Sequence, residues 1–314
     1  MHRNRLEDRA PVSGRVRTAI QAGCAALFNG YVAGFAGGRI FTGKSKAFCV
    51  PVLNCYSCPG ALGACPIGSL QAVIGQRGGR FPFYVLGLLM LFGVILGRLV
   101  CGLLCPFGAL QDLLGRISRR KIELPKKLDR ALRYLKYAVL IIMVILLPAI
   151  ARDRFGMSDP WFCKYICPAG TLEAGLPLTL LNGELRSMTG GLFIWKAAVL
   201  ALVIAGSIFI PRFFCRYLCP LGAFYSLFNR FSAYRMSVDR SRCINCGRCA
   251  GACPMAVDVT EDANSPECIR CGKCAEVCPA KAVRCSFSLN KCFTFGRSLS
   301  SGFGSSRFRC LVRR

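Results

Sequence analysis

The sequence contains almost no histidine: the only one among 314 residues is His2, in a basic N-terminal arm. A haem held by two histidines between membrane helices is therefore excluded, and no Cys-x-x-Cys-His motif for covalent haem attachment occurs. No Gly-x-Gly-x-x-Gly follows a predicted strand, so nothing indicates a bound nicotinamide or flavin. Any redox or metal chemistry has to come from other residue types.

Acidic residues are also scarce, with 15 Asp and Glu against 42 Lys and Arg, and the formal net charge is +27. Nucleic-acid binding could account for this charge, but 54% of the residues are hydrophobic and the mean hydropathy is +0.44. Such values are typical of a polytopic membrane protein, whose Lys and Arg collect in cytoplasmic loops. We therefore expect a membrane as partner, and no nucleic acid.

Four apolar segments have about the ~20 residues that a hydrocarbon core of ~30 Å requires. They are residues 17–38, 81–100, 131–151 and 191–210. Basic stretches precede the first segment and separate the second from the third, so the positive-inside rule puts these stretches and both chain ends in the cytoplasm. The sequence predicts a multi-pass protein of the inner (cytoplasmic) membrane.

Cysteine is abundant, with 22 residues, many of them at short regular spacings. A disulfide framework is the competing interpretation, but disulfides dominate in small secreted domains, and this chain has neither that size nor a removable signal peptide. Metal binding is therefore favoured for the regularly spaced cysteines. Cys24, which belongs to no such spacing, is expected to be a small buried hydrophobe.

Two runs near the C-terminal end have the spacing of bacterial two-cluster ferredoxins. Cys-x2-Cys-x2-Cys-x3-Cys-Pro begins at Cys243 and again at Cys268. In that arrangement the fourth cysteine of each run ligates the other [4Fe–4S] cluster. One cluster is therefore assigned to Cys243, Cys246, Cys249 and Cys278, and the other to Cys268, Cys271, Cys274 and Cys253. A zinc site needs Cys-x2-Cys pairs set farther apart, which these eight cysteines do not match.

The motif Cys-Pro-x-Gly occurs four times, beginning at Cys65, Cys105, Cys167 and Cys219. The second and fourth copies follow an apolar segment, whereas the first and third precede one. This arrangement predicts a two-fold internal repeat within the membrane domain.

Three copies of the motif carry a further cysteine four residues earlier: Cys101 before Cys105, Cys163 before Cys167, and Cys215 before Cys219. The first and third of these pairs both end an apolar segment at the same membrane face, and together they supply four thiols. Residues at i and i+4 share one face of a helix, so these four thiols could hold one [4Fe–4S] cluster at the membrane edge. Helix N-termini and neighbouring arginines would favour such an anionic group. The alternative is that they are small apolar residues at helix ends.

A second membrane-edge cluster is predicted from the loops on the opposite face. Its ligands are assigned as Cys58, Cys65, Cys163 and Cys167. Cys49 and Cys55 lie in the same loop as Cys58, so six thiols compete for four positions. The sequence leaves open which two are spare.

The spans ending in CGLLCP and CRYLCP, followed by CINCGRCAGACP and CIRCGKCAEVCP, resemble the membrane polyferredoxins of the NapH, NosR and CcoG type. That resemblance implies electron transport in anaerobic respiration, by an electron-transfer subunit rather than a stand-alone enzyme. Single electrons would pass between a cytoplasmic donor or acceptor, such as a soluble ferredoxin or flavodoxin, and a quinone or another redox protein. An alternative function is an assembly or maturation factor that reduces a metal or disulfide during biogenesis of a respiratory enzyme.

The expected fold is an all-α polytopic membrane domain, with about four spans and a two-fold internal repeat, plus a small α+β bacterial-type 2[4Fe–4S] ferredoxin domain. The expected boundaries are 1–16 for a basic cytoplasmic arm, 17–235 for the membrane domain, 236–284 for a cytoplasmic ferredoxin domain and 285–314 for a basic, mostly disordered tail. The tail holds three cysteines without a recognised ligand spacing: Cys285, Cys292 and Cys310.

Overall fold

A computed structural model of the chain describes residues 12–76, 81–118, 120–122 and 124–287. Residues 1–11, Cys292 and Cys310 lie outside the described residues, so the predictions made for them stay predictions. Within them the chain is mostly helical and forms a single two-stranded sheet.

The helices before residue 120 are Gly14–Phe28, Ala33–Gly37, Pro66–Ile74, Phe83–Leu96, Leu99–Leu103 and Pro106–Leu114, with a 3₁₀ turn at Lys44–Ala47. One continuous helix follows, made of Lys126–Ala138, a π-helical stretch Val139–Leu146, and Leu147–Ile150. The next helices are Trp161–Tyr165, Pro168–Gly170, the π-helical Thr171–Gly175, Leu176–Leu181, Gly183–Ser187, Gly191–Phe209, Phe213–Tyr217 and Pro220–Phe228. The last elements are strands β1 (Tyr234–Val238) and β2 (Val283–Phe287) and the short helices Arg248–Gly251 and Lys273–Glu276.

Two helices among the described residues are long and apolar enough to cross a membrane: Lys126–Ile150, of 25 residues, and Gly191–Phe209, of 19 residues. The helix Phe83–Leu96 is equally apolar in character but has 14 residues. A count of four spans therefore stays a prediction.

Residues 17–38, expected to form one span, fold as two helices, Gly14–Phe28 and Ala33–Gly37. The physical reason is a change of hydrogen-bond partner between them. The Phe28 carbonyl accepts a bond of 2.9 Å from the backbone N–H of Leu62, in the cysteine-rich loop, instead of from a later helical N–H. The chain turns here because that loop packs against it.

Each of the four Cys-Pro-x-Gly motifs starts a helix, and the motif proline is its first residue. Proline suits this position, since its missing N–H has no intrahelical partner there and its fixed φ is already helical. The cysteine before it is the extended N-cap residue in all four cases. The motif thus puts a thiol at the N-terminus of each helix, where helix dipoles favour negative charge.

Strands β1 and β2 pair antiparallel and close a small unit around the two ferredoxin-like cysteine runs; we call residues 234–287 the ferredoxin unit. Cys285 lies within β2 opposite Met236 and is 3% exposed. The ordered unit therefore extends slightly beyond the boundary expected at residue 284. One buried apolar cluster includes residues from the helical part and from the ferredoxin unit, such as Met255 and Ile269.

Candidate iron–sulfur sites

Both cysteine runs of the ferredoxin unit wrap through the same unusual backbone turns. Asn245 and Arg270, each two residues after the first cysteine of its run, have φ of 51° and 52°. Gly247 and Gly272, each directly after the second cysteine, have φ of 70° and 80°. Residues in the left-handed conformation reverse the chain direction locally. These turns bring the first three cysteine side chains of each run to the same side of the loop.

The fourth cysteine of each run crosses to the other run, as the spacing predicts. One cavity is lined by Cys243, Cys246, Cys249 and Cys278; we call these the first ferredoxin set. The second ferredoxin set is Cys253, Cys268, Cys271 and Cys274. Burial raises the pKa of the Cys274 thiol, and the nearby thiols of the other three members of its set raise it further. The structure therefore brings each predicted set of four together.

Two of the three Cys-x3-Cys-Pro motifs, those that end at Cys105 and Cys219, meet at one cavity, which we call the inner cavity. Its lining includes Cys101, Cys105, Cys215 and Cys219, and its empty volume, open solvent included, is about 350 Å³. All four cysteines are between 6% and 8% exposed. The grouping agrees with the one expected from the sequence, because both helix ends are held at the same level of the fold.

The surroundings of the inner cavity suit an anionic group. Gln111 Nε2 lies 3.0 Å from Cys215 Sγ, and the backbone N–H of Gly222 donates to Cys219 Sγ at 3.3 Å. Arg98 lines the cavity, is fully buried, and has an Nε without a hydrogen-bond partner. Hydrogen-bond donors to the sulfurs and a low exposure are what an iron–sulfur cluster requires. The residues present therefore fit a [4Fe–4S] cluster.

A second and wider space, which we call the outer cavity, is lined by four cysteines: Cys55, Cys65, Cys163 and Cys167. Cys58, assigned from the sequence, is not among its lining residues; its Sγ lies 3.2 Å from the carbonyl oxygen of Glu173. Cys49 Sγ lies 3.5 Å from the Ser69 hydroxyl, also away from the cavity lining. The geometry favours Cys55 over Cys58 as the fourth thiol.

The outer cavity is also lined by a buried polar side chain whose amide has no hydrogen-bond partner. Asn54 lines it, is 0% exposed, and has neither its amide nitrogen nor its amide oxygen hydrogen-bonded. A buried amide without partners is costly, so a polar group in the cavity would stabilise it. The empty volume here, open solvent included, is about 1180 Å³, and Lys164 and Lys196 are among the lining residues.

No group of three or more His, Cys, Asp or Glu side chains in the described parts of the chain is arranged to hold a single metal ion. The cysteines line cavities instead. That arrangement suits a polynuclear cluster, whose four irons each take one thiolate, better than a mononuclear zinc site.

The chain segments next to the second ferredoxin set and the inner cavity approach each other closely. A Cβ at Gly102, next to Cys101, would lie 2.3 Å from the Ile269 carbonyl oxygen of the ferredoxin unit. Arg17 Nη1 donates to the carbonyl of Cys271, in the second ferredoxin set, at 3.1 Å. The second ferredoxin set and the inner cavity are therefore immediate neighbours.

The inner and outer cavities share a wall, although the sequence suggested clusters on opposite membrane faces. Leu53 lines both cavities. Residues 50–54 run through the interior and are all buried, and the Tyr225 hydroxyl donates to the Pro51 carbonyl at 3.0 Å. The loop that carries Cys55 re-enters the fold, and this shortens the separation. Neither Leu53 nor this re-entry is visible from cysteine spacing.

A buried ion cluster fastens the ferredoxin unit to the helices. Glu267 lies 3.0 Å from Arg98 Nη1 and 2.5 Å from Lys136 Nζ, and both cationic side chains are 0% exposed. Burial opposes ionisation of the Glu267 carboxyl, but the two cations outweigh it and hold its pKa below the usual range. The docked unit thus depends on an ionised Glu267.

These features define a protein with ferredoxin-type [4Fe–4S] binding motifs in both a soluble unit and a helical unit. A profile described as "4Fe-4S binding domain" matches residues 63–84, 81–125, 135–176 and 192–238, and one described as "4Fe-4S dicluster domain" matches residues 235–280. The chain belongs to the family of NapH/NosR-type 4Fe–4S-binding proteins.

Curated relatives agree with this membership. The chain is 33% identical over 205 residues to the uncharacterized protein MJ0750 of Methanocaldococcus jannaschii. The matched stretch covers 63% of this chain and 76% of that protein. It is 32% identical over 177 residues to the putative electron transport protein YccM of Escherichia coli, covering 54% and 45% of the two chains. The regulatory protein NosR of Stutzerimonas stutzeri is 28% identical over 49% of this chain and 19% of its own length. No solved structure matches the chain.

Proposed function

We propose that the protein is a membrane-bound iron–sulfur electron-transfer protein that passes single electrons between a soluble redox partner, at the ferredoxin unit, and a quinone or partner protein at the outer cavity. Bound [4Fe–4S] clusters supply the one-electron chemistry. The name of YccM, a putative electron transport protein, supports this class. The observation that carries the proposal is the unbroken succession of four cysteine sets.

Four clusters are proposed, one for each set. The two sets of the ferredoxin unit follow the sequence assignment, and so does the inner cavity. At the outer cavity we propose Cys55, Cys65, Cys163 and Cys167 as ligands. Cys58 is replaced by Cys55 in this assignment, because Cys58 Sγ contacts the Glu173 carbonyl and Cys58 does not line the cavity.

The placement of the cysteine sets supports shorter separations between clusters than sites on opposite membrane faces would have. A hydrocarbon core is ~30 Å thick, whereas here Gly102, the neighbour of the cavity-lining Cys101, lies against the backbone of Ile269, the neighbour of Cys268 in the second ferredoxin set. The inner and outer cavities are divided by the segment that contains Leu53. A cluster bound by one cysteine set would therefore lie next to the cluster bound by the following set.

Membrane insertion is supported by the apolar surface of the long helices. Only 28% and 17% of the most apolar stretches of Lys126–Ile150 and Gly191–Phe209 are buried. Ile141, Ile194 and Leu202 on these helices are 58%, 71% and 58% exposed. A core helix of a soluble protein would be mostly buried, so a lipid environment accounts better for these side chains.

The outer cavity is the proposed site of exchange with a quinone or a partner protein. It holds about 1180 Å³ of atom-free space, against about 350 Å³ for the inner cavity, and it opens to the surface. A quinone becomes a quinol with two electrons and two protons. Two successive single-electron transfers and two protons from solvent would complete that balance.

The proposal is tested by following reoxidation of the reduced full-length protein in liposomes. The clusters are first reduced with stoichiometric dithionite, and the protein is then mixed with decylubiquinone while cluster absorbance is recorded. We expect all clusters of the unaltered protein to reoxidise. In Cys219→Ala, which loses an inner-cavity thiol, the ferredoxin clusters should stay reduced much longer.

The matched control is Cys24→Ala, because Cys24 lies in the helix Gly14–Phe28 and lines none of the three cysteine cavities. It should reoxidise like the unaltered protein. Equal reoxidation of Cys219→Ala and Cys24→Ala would mean that electrons bypass the inner cavity, and the proposed order would be wrong.

A further inference from the structure

Two glutamines occupy the same position relative to the motif cysteines. Gln71 is six residues after Cys65, and Gln111 is six residues after Cys105. Each is 1% exposed. A buried amide needs partners for both its oxygen and its nitrogen. Both glutamines have the same three kinds of partner: a backbone N–H, the backbone carbonyl four residues earlier, and a cysteine Sγ.

At the inner cavity, Gln111 Oε1 accepts a hydrogen bond of 3.0 Å from the backbone N–H of Phe214. A backbone N–H can only donate, so this contact fixes which end of the amide is the oxygen. Its Nε2 then faces the carbonyl of Phe107 at 3.4 Å and Cys215 Sγ at 3.0 Å. One N–H of the amide points at a cysteine thiol.

The outer cavity repeats this arrangement with different residues. Gln71 Oε1 accepts from the backbone N–H of Phe162 at 3.0 Å. Its Nε2 donates to the carbonyl of Ile67 at 3.2 Å and faces Cys163 Sγ at 3.4 Å. The same three partners recur in two separate parts of the chain, which a chance packing contact would not produce.

The other two motifs have no amide at the corresponding position. Six residues after Cys167 stands Glu173, whose Oε2 accepts from the backbone N–H of Cys55 at 2.8 Å. Six residues after Cys219 stands Tyr225, whose hydroxyl donates to a backbone carbonyl. In each cavity, one of the lining thiols therefore faces one glutamine amide.

We propose that Gln111 and Gln71 are positioning residues that raise the reduction potentials of the inner and outer clusters by donating a hydrogen bond to one ligating thiolate each. Reduction adds negative charge to a cluster, and a donor to its sulfur stabilises that charge. The inference rests on the proposed function, because it takes Cys215 and Cys163 as ligands.

The test is a redox titration of the full-length, anaerobically purified protein, followed by electron paramagnetic resonance, with iron analysis of each sample. In Gln111→Leu we expect the inner cluster to become about tenfold harder to reduce at a given potential, a shift of ~59 mV to lower potential for one electron. Iron content should be unchanged. Gln71→Leu should shift a different signal, that of the outer cluster, and leave the inner one in place.

Gln21→Leu is the matched control. Gln21 is 2% exposed and its Nε2 donates to the Gly102 carbonyl at 3.0 Å, so it is a buried amide beside the same cavity that contacts no sulfur. Its loss should leave the potential of the inner cluster unchanged. A shift in Gln21→Leu equal to that in Gln111→Leu would overturn the inference, since any disturbance of packing would then suffice.

An unchanged potential in Gln111→Leu with full iron also overturns the inference, while leaving the proposed function intact. If Gln111→Leu loses iron, Gln111→Met, with a side chain of similar length and volume, repeats the measurement. Loss of iron from both variants means that the amide holds the site together rather than tuning it, and the inference fails. Failure of the proposed function looks different, because the unaltered protein would then lack the inner-cluster signal.

Discussion

Replacing Glu267 by Gln tests how the ferredoxin unit is held against the helices. The carboxylate faces Arg98 Nη1 at 3.0 Å and Lys136 Nζ at 2.5 Å. Arg98 also donates to the Pro266 carbonyl at 2.9 Å, so it makes two contacts across the boundary between the helices and the ferredoxin unit. Glutamine keeps the shape of Glu267 but removes the carboxylate with which both buried cations pair.

The size of the effect follows from burial. Both cationic side chains are 0% exposed, and that of Glu267 is 12% exposed. Breaking a buried ion pair by removing one partner costs about 3–5 kcal/mol. Because the glutamine amide can still accept one hydrogen bond, we expect about 3 kcal/mol, which is roughly a 150-fold rise in the undocked fraction of the ferredoxin unit.

Hydrogen exchange of the full-length protein in detergent measures that fraction. Amides at the boundary, around residues 96–102 and 266–271, should exchange roughly 150-fold faster in Glu267→Gln. The exposed Glu261, changed to Gln, gives the matched control and should leave these amides protected. Equal protection in Glu267→Gln and Glu261→Gln would refute the role of the ion cluster.

The same carboxyl gives a dependence on pH with a defined sign. The pKa of Glu267 is lowered in the folded protein, so its contribution is fully present above the unfolded value of about 4.3 and is lost as the pH falls through the folded pKa. Acidification through the folded pKa should therefore lower the protection of the boundary amides, measured against the intrinsic exchange rate at each pH, in the unaltered protein. In Glu267→Gln this part of the pH dependence should be absent.

Three further predictions follow from the site. Cys55→Ala should lose about four irons, whereas Cys58→Ala should keep them; the reverse result in iron analysis would restore the assignment made from spacing. Gly102→Ala, whose new Cβ would lie 2.3 Å from a backbone oxygen of the ferredoxin unit, should slow electron exchange between the ferredoxin and inner clusters, while Gly23→Ala, with open space around it, should not; stopped-flow absorbance with equal rates in both would contradict this. A reporter fused after Phe287, the end of β2, should be cytoplasmic, and an extracytoplasmic reporter would reverse the orientation.

Local spacing predicted the cysteine groupings that depend on local geometry. In the ferredoxin unit three thiols of each run lie within seven residues, and left-handed turns at Asn245 and Arg270 curl them together. The i and i+4 pairs ending at Cys105 and Cys219 likewise need only a helix and a following proline. For these sets, the structure brings together the thiols that the spacing had grouped.

The outer cavity could not be predicted in the same way, because long-range contacts decide it. Whether Cys55 or Cys58 faces the cavity depends on Glu173, more than a hundred residues away, which accepts from the Cys55 N–H at 2.8 Å and has its carbonyl 3.2 Å from Cys58 Sγ. The shared wall at Leu53 likewise follows from the re-entry of residues 50–54. Neither feature has a signature in spacing or periodicity.

The paired glutamines were overlooked although the sequence contained a signal for them. Gln71 and Gln111 stand at the same distance from Cys65 and Cys105. A comparison of the four motif copies beyond the glycine would have drawn attention to that position. Only the structure, however, shows that both amides are directed at a thiol of the partner motif.

The iron content of the full-length protein, purified without oxygen, tests the central claim most directly, namely that four cysteine sets each hold one [4Fe–4S] cluster. The account predicts about sixteen irons per chain, with Mössbauer spectra of [4Fe–4S] type for all of them. Iron near eight per chain, confined to the ferredoxin unit and unchanged in Cys101→Ala, would contradict it.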